Sequence, residues 1–360
     1  MANGQQLAPF RRNTRQRIRQ TGTTQSVNAG GSALNGSVNF QLDRVGLLNY
    51  LVVVLRGTVT LSAAGAFATL GPWSVFNRLR VDMNLGNMNL VDVSGFQLYQ
   101  LNKMMFRAWA PDGGGMFTPS ADVFLAPVAM GANLWILPLL IPISANPGSE
   151  FDNGLISLQA PEIQVNVQIR LAAAGADFVT NFTSITLTTI ELYVSYFEYP
   201  DPQQVLLPPG QVVRTVEFSQ PIVATGDTIY TIDRQGTLLQ LCSLIIANGT
   251  RSNALDSMRL VANINDSIYL FAPRIILKMK NEFEQSCPSD VGSFNLDLWH
   301  AQENPSSGDD RDVIDTEVLT TLQWIATVTA GTTLGSGNNF FNTLRRVLVD
   351  FAQPGLGPAL

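Results

Sequence analysis

Arginines crowd one short segment near the N-terminus. Five of the 22 cationic side chains lie within nine positions that contain no acidic residue: Arg11, Arg12, Arg15, Arg17 and Arg19. Residues 21–360 carry the other 17 cationic side chains and all 28 acidic ones, a formal net charge of −11. Guanidinium groups form charge-assisted hydrogen bonds with phosphate oxygens. The cluster is therefore typical of a segment that binds an anionic surface, and its charge is opposite to that of the remaining chain.

Apolar residues recur every three or four positions through residues 7–19, at Leu7, Phe10, Thr14 and Ile18. This spacing predicts an amphipathic helix with a stripe of arginines beside the apolar stripe. Such a helix binds an anionic membrane surface, although the arginines would also neutralise nucleic-acid phosphates, and a tail without a target is the third interpretation. Apolar side chains gain little along a phosphate backbone, which favours the membrane or a protein cleft. The residues predicted to face the membrane, or alternatively nucleic acid, are Phe10, Arg11, Arg12, Arg15, Arg17, Ile18 and Arg19.

Residue patterns that catalyse reactions are scarce. The single histidine, His300, lies near Asp297 and Glu303, but alternation along a strand places Asp297 and His300 on opposite faces. Neither a GxSxG nor an HExxH motif accompanies the histidine, and no phosphate-binding Walker sequence occurs. Cys242 and Cys287 are too few for a disulfide framework or a CxxC zinc site. We therefore predict a protein without catalytic activity and without a cofactor.

An acidic cluster at residues 308–317 carries the oxygen ligands that Ca²⁺ prefers. Its candidate ligands are Asp309, Asp310 and Asp312, but their spacing does not match the EF-hand pattern. A solvated loop is the simpler interpretation. We therefore predict no metal site and retain these three residues as the weak candidates.

The composition indicates a folded protein with broad surfaces of low charge. Hydrophobic residues make up 46% of the chain and charged residues 14%, well below the quarter that is typical of soluble domains. No hydrophobic segment follows the basic cluster as a secretory signal requires, and the apolar run at 134–143 is too short to span a bilayer. We expect the chain to be synthesised and to fold in the cytoplasm.

Alternation with a period of two dominates the chain after residue 36 and predicts β-strands. Residues 163–171 alternate between apolar and polar side chains without interruption. In residues 184–196 the alternation slips at Thr188 and Thr189, which predicts a β-bulge. The best helical pattern inside the chain covers residues 95–108.

Two similar β domains in tandem are indicated by an internal repeat. The segments around Arg80 and Arg259 share the order strand, Asn-containing turn, strand and apolar segment, at an offset of 179 residues. Four prolines between residues 200 and 209 mark a stiff connection. The predicted organisation is a basic segment and tether (1–36), a first β domain (37–200), a linker (201–211), a second β domain (212–350) and a C-terminal tail (351–360).

The order of these features resembles that of the double jelly-roll major capsid proteins of icosahedral viruses with an internal membrane, a lineage that includes the tectiviruses and the adenovirus hexon. The residues that carry the resemblance are 70–103, 133–156 and 189–208. It covers most of residues 36–200 and is looser over 212–350. The resemblance implies an all-β fold of two tandem eight-stranded jelly-roll barrels, with a short N-terminal amphipathic helix and a few short helices in loops.

The resemblance also implies a function. A major capsid protein of this kind forms homotrimers with a pseudo-hexameric base that tile an icosahedral shell, and the N-terminal arginines would face the lipid of the internal membrane. Its partners would be other copies of itself, minor capsid and vertex proteins and the membrane, without sequence-specific nucleic acid. It would be located in the virion of a bacteriophage or related virus after assembly in the host cytoplasm. The alternative is a two-domain jelly-roll protein that binds carbohydrate or hydrolyses glycans.

Overall fold

A computed structural model describes most of the chain, and the described part is built almost entirely from β-strands. It contains 22 strands and two α-helices, so the prediction of an all-β protein is confirmed. The described residues are 8–9, 14–26, 36–84, 88–106, 130–145, 147, 153–177, 179–199, 205–206, 210–263, 267–285, 289–299, 313–335 and 338–351.

The first half of the chain contains one long helix between two strands of a series. The helix is α1 (Gly95–Phe106), and short 3₁₀ turns occur at Trp73–Val75 and Gly175–Asp177. The strands are β1 (Ala8–Pro9), β2 (Gln16–Gln20), β3 (Gln25–Ser26), β4 (Ser37–Gln41), β5 (Leu47–Leu61), β6 (Phe76–Met83), β7 (Met88–Val93), β8 (Gly131–Pro142), β9 (Ile156–Ser157), β10 (Val165–Leu171) and β11 (Phe182–Phe197).

The second half repeats this arrangement with its own helix, α2 (Arg274–Gln285). Its strands are β12 (Val205–Leu206), β13 (Gln211–Pro221), β14 (Gly226–Ile232), β15 (Thr237–Ala247), β16 (Thr250–Arg251), β17 (Leu255–Ala262), β18 (Ser267–Pro273), β19 (Ser293–Asp297), β20 (Ile314–Asp315), β21 (Leu322–Val328) and β22 (Phe340–Asp350).

The two halves have the same strand order. In the first half β2, β11, β5 and β8 pair in sequence, and β7, β6, β10 and β4 form a second sheet across a shared core. In the second half the corresponding orders are β13, β22, β15, β19 and β18, β17, β21, β14. Each half is therefore an eight-stranded barrel of two four-stranded sheets, which we call barrel 1 and barrel 2.

The predicted repeat holds for a complete unit of strand, turn, strand and helix. β6, β7 and α1 begin at residues 76, 88 and 95, and β17, β18 and α2 begin 179 residues later at 255, 267 and 274. Both turns contain an asparagine in the left-handed region, with φ of 54° at Asn84 and 51° at Asn263. Each side-chain Oδ1 accepts a backbone N–H immediately before the next strand of the sheet, from Gln164 and Thr320 respectively. Asparagine tolerates this backbone conformation because its short polar side chain bonds locally.

Alternation along the strands sets the cores as predicted. In β10 the side chains of Val165, Val167, Ile169 and Leu171 are buried and point between the two sheets of barrel 1. The pairing of β11 with β5 shifts register between Thr186 and Thr189, which confirms the predicted β-bulge.

The predicted N-terminal helix is wrong where the structure describes this segment. Residues 16–20 form strand β2, which pairs antiparallel with β11 from Gln16 opposite Phe197 to Gln20 opposite Tyr193. An isolated helix of this length is marginal in water because its first turn is costly to form. The open edge of β11 offers backbone hydrogen bonds to the same residues, and this sheet partner determines their conformation.

Candidate assembly interface

The two barrels are joined by a pair of parallel strands. β7 at the edge of barrel 1 pairs with β13 at the edge of barrel 2, with Thr215 opposite Val91 and Val216 opposite Asp92. One continuous sheet therefore runs through both barrels. Since edge strands expose unpaired backbone groups, this pairing satisfies an edge from each barrel.

Charged groups surround this junction. The Arg78 guanidinium pairs with Asp92 and with the Glu217 carboxylate, at 3.4 Å from the latter. Glu217 also accepts the backbone N–H of Ser94, just before α1, at 2.6 Å. Burial raises the pKa of Glu217, while the Ser94 hydrogen bonds and Arg78 oppose the shift. The carboxylate thereby fixes the start of α1 to barrel 2.

Helix α1 lies against barrel 2 with polar side chains that are almost completely buried. Lys103 Nζ lies 3.1 Å from Asp290 Oδ2, and Gln100 donates its Nε2 to the same oxygen at 2.8 Å. Ser293 donates its hydroxyl to Gln100 Oε1 at 2.5 Å. The Arg251 guanidinium lies 5.4 Å from the centre of the Phe96 ring. The predicted helix is thus confirmed, but its polar face contacts the second barrel and not solvent.

Lys278 provides a pH-dependent test of this region. Its ammonium donates to the Asp290 carbonyl at 2.5 Å, and burial lowers its pKa to about 8, although Asp290 and Glu282 oppose the shift. Between about pH 8 and pH 10 the unfolded chain binds more protons than the folded one, so the free energy of unfolding should rise with pH. Urea denaturation should show this rise in the wild type and a smaller one in Lys278→Met. Equal rises in both proteins would contradict the assignment.

The described arginines of the basic cluster bind carboxylates of barrel 1. Arg17 lies 2.8 Å from Glu198, which directly follows β11. Arg19 lies 2.6 Å from Asp43, so it connects the edge strand β2 of one sheet to the residue region that follows β4 in the other sheet. These contacts are half exposed and are worth less than about 1 kcal/mol each. The segment's charge is therefore partly neutralised within the chain.

The other predicted site residues are distributed differently. Ile18 is 59% exposed on β2, and Arg15 accepts the Glu198 N–H through its backbone carbonyl. Phe10, Arg11 and Arg12 lie outside the described residues, as do His300 and the weak metal candidates Asp309, Asp310 and Asp312. Among the described residues no cluster of metal-ligating side chains occurs, and no described helix is long and apolar enough to cross a bilayer.

Solved structures share this arrangement of two barrels across nearly the whole chain. The major capsid protein of Sulfolobus Turreted Icosahedral Virus (STIV) matches with a TM-score of 0.66 at 12% identity, over 93% of this chain and 97% of that chain. Major capsid protein P2 of bacteriophage PM2 matches with a TM-score of 0.58 at 9% identity, over 95% of this chain and 100% of that one. The chain has the double jelly-roll fold of viral major capsid proteins. VP54 of PBCV-1 shares it at a TM-score of 0.59 and 12% identity, over 97% of both chains.

The double jelly-roll fold confirms the expected resemblance, although sequence comparison alone does not reveal it. No family model and no curated protein sequence matches the chain. These neighbours are structural capsid proteins, in agreement with the prediction of a protein that is not an enzyme. The fold is therefore retained while nearly nine residues in ten differ.

A cleft between the two jelly rolls bears on the glycan-acting alternative. It has a volume of about 450 Å³ and is lined by described residues of both barrels, including Leu70, Asp177 and Gly249. Asp177 is the one carboxylate among these lining residues. Glycoside hydrolysis uses a pair of carboxylates, so the lining of this cleft does not favour that chemistry.

Sequence reasoning missed an exposed apolar surface on the second jelly roll. We define the α2 surface as Phe271 at the end of β18 together with Ile275, Ile276, Met279 and Phe283 on α2, which are between 48% and 81% exposed. Steps of four between Ile275, Met279 and Phe283 are a helical signal that the sequence contains. A contiguous apolar surface of this kind marks an interaction site.

Proposed function

We propose that the protein is a major capsid protein whose homotrimers tile an icosahedral shell in the virion. The observation that carries the proposal is the pair of equivalent barrels joined edge to edge within one chain. Three such chains supply six similar barrels, which approximates sixfold symmetry with threefold symmetric assembly. The fold shared with the capsid proteins of STIV, PM2 and PBCV-1 supports this function.

The composition supports repeated contacts between copies. Only 14% of the residues are charged, which limits like-charge repulsion between the flanks of identical subunits. The proposed organisation is a basic segment and tether (1–36), a first jelly roll (37–200), a linker (201–211), a second jelly roll (212–350) and a C-terminal tail (351–360). Minor capsid and vertex proteins are the further proposed partners, and assembly takes place in the host cytoplasm.

Light scattering coupled to size-exclusion chromatography tests the proposal. The purified chain should elute as one species of about three times the 39.1 kDa monomer mass. Dilution should not change this mass over the micromolar range if the contacts are extensive. A monomer at every concentration, or a monomer that binds glycans, would refute the capsid assignment.

The basic segment is proposed to face an internal membrane. β1 pairs with β12 in the linker, and β2 begins opposite the last residue of β11, so the segment and the linker meet at one end of barrel 1. Arg17 and Arg19 have carboxylate partners. We therefore assign most of the lipid contact to Arg11, Arg12 and Arg15, with Phe10 inserted at the interface.

Vesicle flotation tests this assignment. Each arginine near anionic headgroups contributes about 1 kcal/mol, so replacing Arg11, Arg12 and Arg15 by glutamine should weaken binding to phosphatidylglycerol vesicles about a hundredfold. The matched control, Arg17→Gln with Arg19→Gln, should have a smaller effect because Glu198 and Asp43 already neutralise those side chains. Loss of binding to a DNA oligonucleotide with unchanged vesicle binding would favour nucleic acid instead.

A further inference from the structure

The junction within the chain has a second, unoccupied version on the surface. In barrel 2 the counterpart of β7 is β18, and in barrel 1 the counterpart of β13 is β2, by the shared strand order. Within the described residues, β18 pairs only with β17, and β2 pairs only with β11. The two strands whose equivalents join the barrels to each other thus each have an open edge.

Register fixes which residues correspond. β7 and β18 are related by the 179-residue offset, so Val91 and Asp92 correspond to Leu270 and Phe271. Gly46 and Gly236 both contact the final strand of their sheet, at the carbonyls of Phe197 and Leu348. Aligning β11 with β22 on this contact and following their partners makes Ile18, Arg19 and Gln20 the counterparts of Thr215, Val216 and Glu217.

The charged groups of the internal junction are replaced together at the open edges. Inside the chain Arg78, Asp92 and Glu217 form an ion-paired group; their counterparts Ser257, Phe271 and Gln20 are uncharged. Glu217 accepts the Ser94 N–H, whereas the counterpart of Ser94 is Pro273, which has no N–H to donate. Replacement on both sides at once indicates two surfaces matched to each other.

Helix burial shows the same relation. Phe96, Gln97, Gln100 and Met104 of α1 are at most 2% exposed at the internal junction. Their counterparts on α2 are the apolar residues of the α2 surface, at least 48% exposed: Ile275, Ile276, Met279 and Phe283.

The surface that would receive α2 is apolar as well. Polar Gln100 meets Asp290 and Ser293, which precede and begin β19. The counterpart of β19 is β8, where Leu134 is 56% exposed and the preceding Met130 is 75% exposed. A polar contact inside the chain therefore corresponds to an apolar contact between these two free surfaces.

We infer that β2 of one copy pairs in parallel with β18 of the next copy, and that the α2 surface packs against the start of β8 of that copy. This inference rests on the proposed trimer. The step from barrel 1 to barrel 2 inside a chain is repeated between chains, and three copies close the ring. The basic segment thus has a second role, because β2 supplies a strand to the neighbouring subunit by edge-to-edge addition.

Cysteine cross-linking tests the register. Arg19→Cys with Phe271→Cys should form disulfides between chains and yield a covalent trimer on a non-reducing gel. The matched control, Asp92→Cys with Val216→Cys, places cysteines at the equivalent pair within one chain and should cross-link without increasing the mass. A native trimer in which the control pair closes but the test pair does not would overturn the inference and leave the capsid function intact. A wild-type monomer would refute the proposed function itself.

A second variant does not depend on disulfide geometry. Met279→Glu with Phe283→Glu changes two exposed side chains and should raise the dissociation constant of the trimer at least tenfold, because the charges would be buried without partners. The control Val223→Glu, at a residue that is 89% exposed outside the α2 surface, should leave the trimer unchanged. An intact trimer in the double variant, with or without loss of vesicle binding, would contradict the inference.

Discussion

Replacing Asp290 by alanine should lower the free energy of unfolding by about 3–5 kcal/mol. The Asp290 carboxylate lies 3.1 Å from the Lys103 ammonium, and the Lys103 side chain is only 3% exposed. Without the carboxylate, the cation stays in a site from which water is largely excluded, and its lost hydration is no longer offset. The hydrogen bond from Gln100 is lost as well. Urea denaturation of the two proteins measures the difference.

The buried cation determines the size of this loss. Lys103→Met should cost less, about 1–2 kcal/mol, because Asp290 keeps Gln100 and a contact with Arg251 at 3.8 Å. The double variant Lys103→Met with Asp290→Ala should then be more stable than Asp290→Ala alone, since no unpaired charge is left. If the double variant is no more stable, Lys103 is not the group that requires the carboxylate.

Features set by neighbouring residues were predictable from the sequence. The period of two located the strands, and a slip of one residue at Thr188 and Thr189 located the bulge in β11. The offset of 179 residues between Arg80 and Arg259 revealed the repeated unit. In each case the side-chain pattern itself sets which face a residue occupies, because a one-residue shift would exchange core and solvent faces.

Features set by distant residues were not predictable in this way. Residues 16–20 fit a helical and an alternating pattern, and a strand edge near Glu198, 181 positions from Arg17, decides between them. Likewise Lys103 is buried on a helix because Asp290, 187 positions away, reaches it across the junction. Local periodicity carries no information about either partner, so the junction and its exposed counterpart became visible only in the folded chain.

Replacing Asn102 or Asn281 by alanine should cost about 2–4 kcal/mol at each position. Both are almost fully buried on equivalent positions of α1 and α2. Asn102 donates to the Leu140 carbonyl at 2.7 Å and accepts the Leu140 N–H at 3.0 Å. Asn281 makes the same pair of bonds with Asn295, at 2.6 Å and 2.9 Å. The partners lie in β8 and β19, the last strands of their sheets, so each amide satisfies backbone groups at a sheet edge.

Alanine would leave one buried N–H and one buried C=O without these bonds in each barrel, and each unsatisfied group costs about 1–3 kcal/mol. The control Asn77→Ala, at an exposed position of β6, should change the free energy of unfolding by less than about 0.5 kcal/mol. Denaturant titration of the three variants measures both effects. Since the two helices are equivalent, the losses at Asn102 and Asn281 should be similar in size. A large loss at only one of them would show that the repeated geometry does not carry a repeated energetic role.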